Sequence, residues 1–243
     1  MCGAARADAV RGALYPRPVT TAAGPPPPSG AGQDAAGYAD GFAAESPAQA
    51  AARHRAVTSA LESGTRAPVE PSVGAALAVL AAGLDARGVV ALGSGSGVTG
   101  LWLLRGMRTD GVLTVLDGDP AELRAARRAF AEAGIRHSRT RLIFGTATEV
   151  LPRLSSGAYD MVTCSGPPAD YAEHLTVLLG LVRAGGSLVC SGVLEDGKIA
   201  DRSARDEQSV AWREIARTVR EDETLLSAVL PIGTGLLVAA KRH

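Results

Sequence analysis

The sequence lacks an excess of charge of either sign. Lys and Arg together number 25, Asp and Glu together also number 25, and the formal net charge at pH 7 is zero. A protein without a net positive field attracts neither the phosphate backbone of a nucleic acid nor an anionic membrane surface. We therefore expect no nucleic-acid partner and no membrane partner.

Long hydrophobic runs and paired cysteines are also scarce. No apolar stretch reaches the roughly 18 to 20 residues of a membrane-spanning helix, and the first residues do not show the basic-then-apolar pattern of a signal peptide. The three cysteines, Cys2, Cys164 and Cys190, have no CxxC spacing and are too few for a disulfide framework. The sequence predicts a cytoplasmic protein with reduced thiols.

Composition divides the chain into a tail and one domain. Residues 1–33 are rich in Ala, Gly and Pro, including the run Pro25 to Pro28, and offer little apolar surface to bury. We predict that they form a disordered tail. Residues 34–243 contain enough apolar side chains for one sizeable core, so they are predicted to form a single domain.

The first part of this domain, residues 34–86, has helical composition. Ser46 followed by Pro47 is typical of a helix start, and two helices are expected before residue 64. Between Ser72 and Leu84, apolar residues recur at intervals of three and four, which predicts a helix buried on one face. The sheet is expected within residues 87–243.

Strand-like and helix-like runs alternate after residue 87. The five strand-like runs are Gly88 to Leu92, Val112 to Asp117, Arg141 to Gly145, Tyr159 to Cys164 and Ser187 to Val193. This rhythm is typical of βαβ units and therefore of an α/β fold with a parallel sheet. Two closing runs, Leu225 to Pro231 and Thr234 to Lys241, are predicted to add a hairpin.

A glycine-rich turn follows the first predicted strand. Gly93, Gly95 and Gly97 alternate with serines directly before a helix-like segment. Glycine lets the backbone approach a ligand closely, and the start of the next helix presents free N–H groups. The turn is typical of a nucleoside cofactor site, although tight turns that bind nothing also use glycine.

Asp117 supplies a second cofactor feature, because it ends the next predicted strand. An acidic side chain at this position accepts hydrogen bonds from ribose hydroxyls. Its neighbour Asp119 is better suited to cap the following helix, with Pro120 in the first helical position and Glu122 completing a capping box. Asp117 is therefore predicted to bind the ligand.

The order of the glycines bears on the type of cofactor. Gly-x-Gly-x-Gly favours S-adenosylmethionine over a dinucleotide, whose usual pattern is Gly-x-Gly-x-x-Gly. Because Gly100 would complete the dinucleotide pattern from Gly95, a nicotinamide cofactor stays open at this point.

A collinear set of short motifs is more specific than the glycine turn. The motifs are Tyr38 to Asp40, Pro68 to Pro71, Gly93 to Trp102, Arg105 to Met107 with Asp110 to Thr114, Ala129 to Gly134, Glu149 to Leu154 and Leu230 to Leu237. Through them the chain resembles the catechol O-methyltransferase-like family of bacterial S-adenosylmethionine-dependent O-methyltransferases, in the form common in actinobacteria.

The resemblance implies a Rossmann-like class I methyltransferase fold with a seven-stranded, mostly parallel sheet whose last strand is antiparallel. It also implies S-adenosylmethionine as the cofactor, a small-molecule hydroxyl as the methyl acceptor, and a homodimer. By position, the implied cofactor contacts are Val69, Gly93 and Ser94 to the methionine part, Thr99 to its carboxylate, Asp117 and Gly118 to the ribose and Ala147 to the adenine, with Ala91, Gly95 and Ser165 in the same pocket. Ala91 stands where the family often has Glu.

The other half of the family's site is altered. Metal-dependent members hold a divalent cation with three acidic or amide side chains and have a Lys nearby. The corresponding positions here are Ser165, Ser191 and Gly192, and Pro168 stands in place of the Lys. Because neutral hydroxyls do not offset the cost of removing water from Mg²⁺, the sequence predicts no divalent-metal site.

No catalytic residue can be assigned from the sequence. Five side chains that follow the altered positions are candidates for a general base, although solvated surface charges are the commoner explanation for them. They are Asp170, Glu173, His174, Glu195 and Asp196.

Three functions are consistent with these observations. The first is a metal-independent O-methyltransferase that relies on proximity and orientation. The second is a catalytically inactive protein that binds S-adenosylmethionine and acts as a regulatory or partner subunit. The third is a nicotinamide oxidoreductase on a similar sheet, which the wider resemblance disfavours.

Overall fold

The computed structural model describes residues 31–64, 66–194 and 197–243, with the backbone alone for residues 31–34. The predicted tail therefore lies almost wholly outside the described residues, as do Glu195 and Asp196, and these predictions stay untested. Residues 36–243 form one compact unit that contains the whole sheet.

The described chain contains helices before, between and after the strands of one sheet. The helices are α1 (Ala31–Phe42), α2 (Pro47–Ser63), α3 (Pro71–Gly83), α4 (Val98–Gly106), α5 (Pro120–Glu132), α6 (Ala147–Val150), α7 (Ala169–Ala172), α8 (Leu175–Leu181) and α9 (Glu207–Glu221). The strands are β1 (Gly88–Leu92), β2 (Val112–Asp117), β3 (Thr140–Phe144), β4 (Tyr159–Cys164), β5 (Val182–Ser191), β6 (Leu225–Leu230) and β7 (Leu236–Lys241). In the part of the chain that the structure describes, no helix is long and apolar enough to cross a membrane.

The seven strands lie in the order β3-β2-β1-β4-β5-β7-β6. Strands β1 to β5 are parallel to one another, and β7 runs antiparallel to both β5 and β6. This confirms the predicted α/β fold, its antiparallel last strand and its closing hairpin. The strand order reverses between β1 and β4, and ligands of such sheets bind beyond the carboxyl ends of the strands at this reversal.

Most predicted element bounds agree with the structure, but β5 does not. It begins at Val182 instead of Ser187 and ends at Ser191 instead of Val193. Gly185 adopts a positive φ of 72°, and the register with β4 shifts between Tyr159 and Met161. The glycine-containing start of β5 has no alternating or β-branched pattern, so the sequence gives little sign that it pairs.

Local signals explain why the helices begin where they do. Ser46 caps α2 by accepting a hydrogen bond from the Gln49 N–H, and Gln49 Oε1 accepts one from the Ser46 N–H, so the pair forms a capping box. Helix α3 is capped from a distance, because the Ser72 N–H donates to Asp40 Oδ1 at 2.9 Å. The Tyr38 to Asp40 motif therefore fixes the start of α3.

The core has two layers, one on each face of the sheet. Val89 and Ala91 of β1 face the layer that α2 to α5 cover, whereas Val90 and Leu92 face the layer beneath α7 to α9. A strand buried on both faces is continuously apolar, as β1 is. Because both faces of β1 are buried, a ligand can approach this strand only at its carboxyl end.

Candidate active site

The glycine-rich turn leaves β1 in a conformation that few other residues would adopt. Gly93 and Gly97 have φ values of 83° and 90°, in the left-handed region that favours glycine. A Cβ on Gly93 would lie 2.8 Å from the Ser165 carbonyl oxygen, and one on Gly97 would lie 2.9 Å from Ala126 Cα. These glycines let the turn pack directly against the end of β4 and against α5.

Asp117 ends β2, and its carboxylate lies against this turn. Oδ2 accepts a hydrogen bond from the Ser94 N–H at 2.7 Å, and Oδ1 accepts one from the Asp119 N–H at 2.9 Å. An ionised carboxylate has about four lone-pair sites, so about two are left for a ligand. The structure thus brings together Ser94 and Asp117, two of the predicted cofactor residues.

Glu122 binds the other side of the turn, so the prediction that it completes the capping box of α5 is wrong. Its Oε2 accepts the Ser96 N–H at 2.7 Å and the Ser96 hydroxyl at 3.0 Å. Asp119 does cap α5, by accepting the Ala121 N–H at 2.7 Å, but the Asp119 N–H donates to Asp117 and not to Glu122. The capping box is therefore not formed, because Glu122 is taken up by the turn. Its contacts keep Ser96 at a φ of 53°, which is unfavourable for a residue with a Cβ.

Two buried hydroxyls at this edge have no hydrogen-bond partner within the described residues. They are Thr99 Oγ1, in the first turn of α4, and Ser165 Oγ, just after β4. A Cβ on Gly95 would lie 3.1 Å from Thr99 Oγ1, so the hydroxyl adjoins the turn. A buried polar group without a partner is costly, and such groups are usually satisfied by a ligand or by water.

The remaining predicted cofactor residues occupy several positions around the same edge. Gly118 is exposed beside Asp117, and Ala147 is the first residue of α6, partly buried against the second core layer. Val69 precedes α3, and its carbonyl accepts a hydrogen bond from Arg53 Nη1 at 2.5 Å. The Ala91 side chain is buried in the first core layer.

The three positions of the family's metal ligands lie together, and their side chains do not fit a divalent cation. Ser165 and Ser191 supply neutral hydroxyls, and the Ser191 hydroxyl donates to the Cys164 carbonyl at 3.4 Å. Gly192 supplies no side chain. Across residues 31–64, 66–194 and 197–243, no three His, Cys, Asp or Glu side chains are grouped so as to hold a metal ion. This donor set lacks the anionic oxygens that Mg²⁺ requires.

A guanidinium that no sequence pattern singles out lies next to these altered positions. Arg66, in the link between α2 and α3, donates from Nη1 to the Gly166 carbonyl at 3.4 Å. A Cβ on Gly192 would overlap Arg66 Nη2. The two residues in the hydrogen bond are 100 positions apart, so no local pattern reveals the contact.

Among the candidate bases that lie within the described residues, Asp170 is the one beside Gly166. Its Oδ2 would lie 4.0 Å from a Cβ on Gly166. Burial raises the pKa of the Asp170 carboxyl above its usual value, and the negative charge of Asp117 raises it further. Asp170 therefore shares the space between the cofactor residues and the altered metal positions.

Glu173 and His174 face elsewhere. His174 Nε2 lies 3.1 Å from Thr148 Oγ1 and 3.3 Å from Glu173 Oε1. These contacts hold the imidazole beside α6, at the adenine end of the predicted pocket. Neither side chain contacts Gly166 or Gly192 among the described residues.

Cys164 and Cys190 are opposite each other on β4 and β5. Both are buried free thiols, and the hydrogen bond that the Cys164 thiol donates to Cys190, together with burial, raises the pKa of Cys164 well above its usual value. Nearby, Tyr171 is buried, with its ring edge-on to Trp212 at a centroid distance of 6.0 Å. The Tyr171 hydroxyl has no hydrogen-bond partner in the described part of the chain.

Comparisons with known proteins bear directly on this site. The O-methyltransferase family model matches residues 44–242. A relative from Mycobacterium sp. (strain JLS), which carries the provisional name of O-methyltransferase, is 49% identical over 192 residues, covering 79% of this chain and 85% of the relative.

Solved structures show the same fold. A protein from Corynebacterium glutamicum is 32% identical, with a TM-score of 0.77, and the match covers 88% of this chain and 98% of that protein. The O-methyltransferase TomG from Streptomyces achromogenes, crystallised with S-adenosylmethionine, is 24% identical, with a TM-score of 0.76 and coverage of 86% and 96%. At this identity the likeness to TomG concerns the fold.

These matches confirm the family predicted from the sequence and the prediction of an O-methyltransferase enzyme, and none of them supports the inactive alternative. They also remove the reason to keep a nicotinamide oxidoreductase open. The family model covers the glycine turn, Asp117 and both altered strand ends. The chain belongs to the O-methyltransferase family.

Proposed function

We propose that this O-methyltransferase binds S-adenosylmethionine in the cleft between the glycine turn, Asp117 and Ser165, and transfers its methyl group to a small-molecule hydroxyl without a divalent cation. The contact between the Ser94 N–H and Asp117 Oδ2, at 2.7 Å, is the observation that carries the proposal. It joins the glycine turn to the Asp117 carboxylate at one strand edge, where sheets of this topology bind ligands, and so supports a cofactor site there. TomG, which has the same fold, binds the same cofactor.

The residues at this edge suit the parts of the cofactor. The free lone pairs of Asp117 would accept the ribose hydroxyls, with Gly118 leaving room beside them. The buried Thr99 hydroxyl would donate to the methionine carboxylate at the start of α4, where the N-terminal N–H groups also favour negative charge. Val69, Gly93, Ser94 and Gly95 would line the methionine side, Ser165 the pocket wall and Ala147 the adenine side, whereas the side chain of Ala91, also predicted for this pocket, is buried in the first core layer. When bound, the cofactor supplies an electrophilic methyl group on a sulfonium.

The protein supplies orientation and a base. Asp170 would accept the proton of the acceptor hydroxyl, because its carboxylate faces Gly166 and its raised pKa makes it a stronger base than an ordinary aspartate. Holding the acceptor oxygen in line with the methyl group gives the rate advantage of proximity. No step needs a metal ion, which is consistent with the neutral side chains of Ser165 and Ser191.

Location and assembly complete the proposal. A cytoplasmic location is supported by the two free thiols, which a reducing compartment maintains. A homodimer is supported by exposed apolar side chains on α1 and on the edge strand β6. They include Tyr38, Phe42, Leu226 and Val229. Light scattering coupled to size-exclusion chromatography would give twice the chain mass, and a monomer at micromolar concentration would contradict the dimer.

Chelation tests the proposed chemistry. We would incubate the enzyme with methyl-deuterated S-adenosylmethionine and a panel of phenolic acceptors, in parallel with EDTA and with added Mg²⁺, and detect labelled products by mass spectrometry. We expect labelled product from at least one acceptor, at rates that agree within about twofold between the two conditions. Transfer that requires Mg²⁺ would contradict the metal-independent mechanism. Cofactor binding without transfer to any hydroxyl acceptor would favour the inactive alternative.

A further inference from the structure

The guanidinium of Arg66 lies where the family's metal ligands would converge. It donates to the carbonyl of Gly166, the residue after Ser165, at 3.4 Å. It also fills the space that a side chain at position 192 would enter. Ser165 and Gly192 are two of the three altered ligand positions. The positive charge of Arg66 therefore lies where the metal ligands of the family are missing.

The link that carries Arg66 is held at its far end. Arg53 Nη1 donates to the Val69 carbonyl at 2.5 Å, and the Glu70 carboxylate accepts the Thr234 N–H at 3.0 Å. Glu70 Oε2 also packs against Gly233, within 2.6 Å of where a Cβ would be. These contacts tie the link to α2 and to the β6–β7 turn, so Arg66 is presented from an anchored backbone.

The charge of Arg66 is not neutralised within the part of the chain that the structure describes. No described Asp or Glu forms an ion pair with it, and the Gly166 carbonyl is its one hydrogen-bond acceptor there. A guanidinium has five N–H donors, and its planar fork matches two neighbouring oxygen atoms. Arg66 is exposed, so a ligand can reach the unused donors.

One buried hydroxyl beside this charge also lacks a partner within the described residues. It is Ser165 Oγ, one residue before the carbonyl that Arg66 binds, and the atom is shielded from solvent. A cation and an unpaired hydroxyl form a site for a ligand with two oxygen atoms.

We propose that Arg66 binds the methyl acceptor in the place of the divalent cation. The guanidinium fork pairs with the oxygen of the reacting hydroxyl and with a second oxygen of the acceptor beside it, and the Ser165 hydroxyl bonds a remaining lone pair. This inference rests on the proposed function, since it assigns the acceptor-binding residue of the same cleft.

The chemistry balances without a metal. The reacting hydroxyl gives its proton to the Asp170 carboxylate, while Arg66 stabilises the negative charge that develops on the oxygen. The new O–C bond forms as the C–S bond to the methyl group breaks, and the electron pair of that bond stays on sulfur as a neutral thioether. Because a guanidinium stays protonated throughout, it acts as a fixed charge and takes no part in the proton transfer.

A coloured catechol tests this assignment independently of turnover. The probe is 4-nitrocatechol, whose absorption spectrum reports whether its hydroxyl is ionised, titrated in EDTA into enzyme saturated with S-adenosylhomocysteine. With wild type we expect binding and a shift to the phenolate spectrum at a pH where the free probe is still protonated. Arg66→Gln should weaken binding about 10- to 100-fold and abolish the shift, and Arg66→Lys should retain part of it.

Controls separate this proposal from the one on which it rests. Arg220→Gln, at an exposed site in the last turn of α9, should behave as wild type. Calorimetry with S-adenosylhomocysteine should give equal affinities for wild type and both Arg66 variants. An unperturbed probe spectrum with wild type, or equal probe binding by Arg66→Gln, would overturn the role of Arg66 alone. Failure of wild type to bind S-adenosylhomocysteine would overturn the proposed function and this inference together.

Discussion

The two sides of the cleft are built in different ways. On the β1–β2 side, glycine conformations and hydrogen bonds from the backbone to Asp117 and Glu122 fix the shape of the turn. On the β4–β5 side, Ser165 carries a hydroxyl without a partner among the described residues, and the Arg66 guanidinium reaches in from a distant link. If the proposed function is correct, the cofactor side is shaped mainly by backbone conformation and the acceptor side by individual side chains, which can be exchanged without changing the fold.

The largest expected effect on activity comes from removing the Asp170 carboxylate, on the acceptor side of the cleft. Asp170→Asn keeps the size of the side chain and removes the base, so kcat should fall by about 10²- to 10³-fold. A protonated carboxyl cannot accept a proton, so the wild-type rate should fall as the pH drops through the raised pKa of Asp170. The rate of the variant should not show this decrease at low pH.

The control for Asp170→Asn is cofactor affinity. S-adenosylhomocysteine should bind the variant as tightly as wild type, because Asp170 is assigned to the acceptor side. Weaker binding of S-adenosylhomocysteine with an unchanged pH profile would instead place Asp170 on the cofactor side, and would contradict its assignment to the acceptor side.

Glycine substitutions compare the rigidity of the two sides. Gly97→Ala forces a Cβ against the backbone of α5 at an unfavourable φ, and should cost about 2 to 4 kcal/mol of unfolding free energy. Gly192→Ala has an equal φ of 90° but meets only the movable end of Arg66, so its cost should be about 1 to 2 kcal/mol. Urea unfolding measures both, and equal costs would contradict the contrast.

Thr99→Val tests a polar group assigned to the ligand. The Oγ1 atom has no partner among the described residues, so its loss should leave the free energy of unfolding unchanged or slightly higher without ligand. Affinity for S-adenosylhomocysteine should fall about tenfold, since one hydrogen bond to a charged carboxylate is lost. Calorimetry and thermal unfolding of the same preparation would check both parts. A large loss of stability with unchanged affinity would make Thr99 a purely structural residue.

The sheet could be predicted from the sequence because its signals are local. Strands β1, β2 and β4 have the predicted bounds, since each is a short apolar run that ends at a Gly, Asp or Ser. The start of β5 escaped prediction because its pairing depends on a register shift in β4. The sequence could also place Gly93 and Asp117 at one edge of the sheet, because both follow or end adjacent strands; that they bind a cofactor stays a prediction.

On the acceptor side, the sequence predicted only that the metal-binding side chains of the family are missing. Ser165, Ser191 and Gly192 stood out because the family's ligands are absent there. Arg66 and Glu122 escaped, since Arg66 acts across 100 residues and Glu122 fits a capping box equally well by spacing. Contacts between residues that are far apart in the sequence depend on the tertiary fold, and no periodicity in the sequence indicates them.

The central claim is that the glycine turn and Asp117 form a working S-adenosylmethionine site beside an altered acceptor site. Calorimetric titration of wild type, Asp117→Ala and Asp110→Ala with S-adenosylmethionine and S-adenosylhomocysteine, in EDTA, tests it most directly. Asp110 is a matched control because it is an exposed aspartate that pairs with Arg108. We expect submillimolar binding by wild type and Asp110→Ala, and affinity weaker by on the order of 100-fold in Asp117→Ala. No binding by wild type, or equal binding by all three proteins, would contradict the claim.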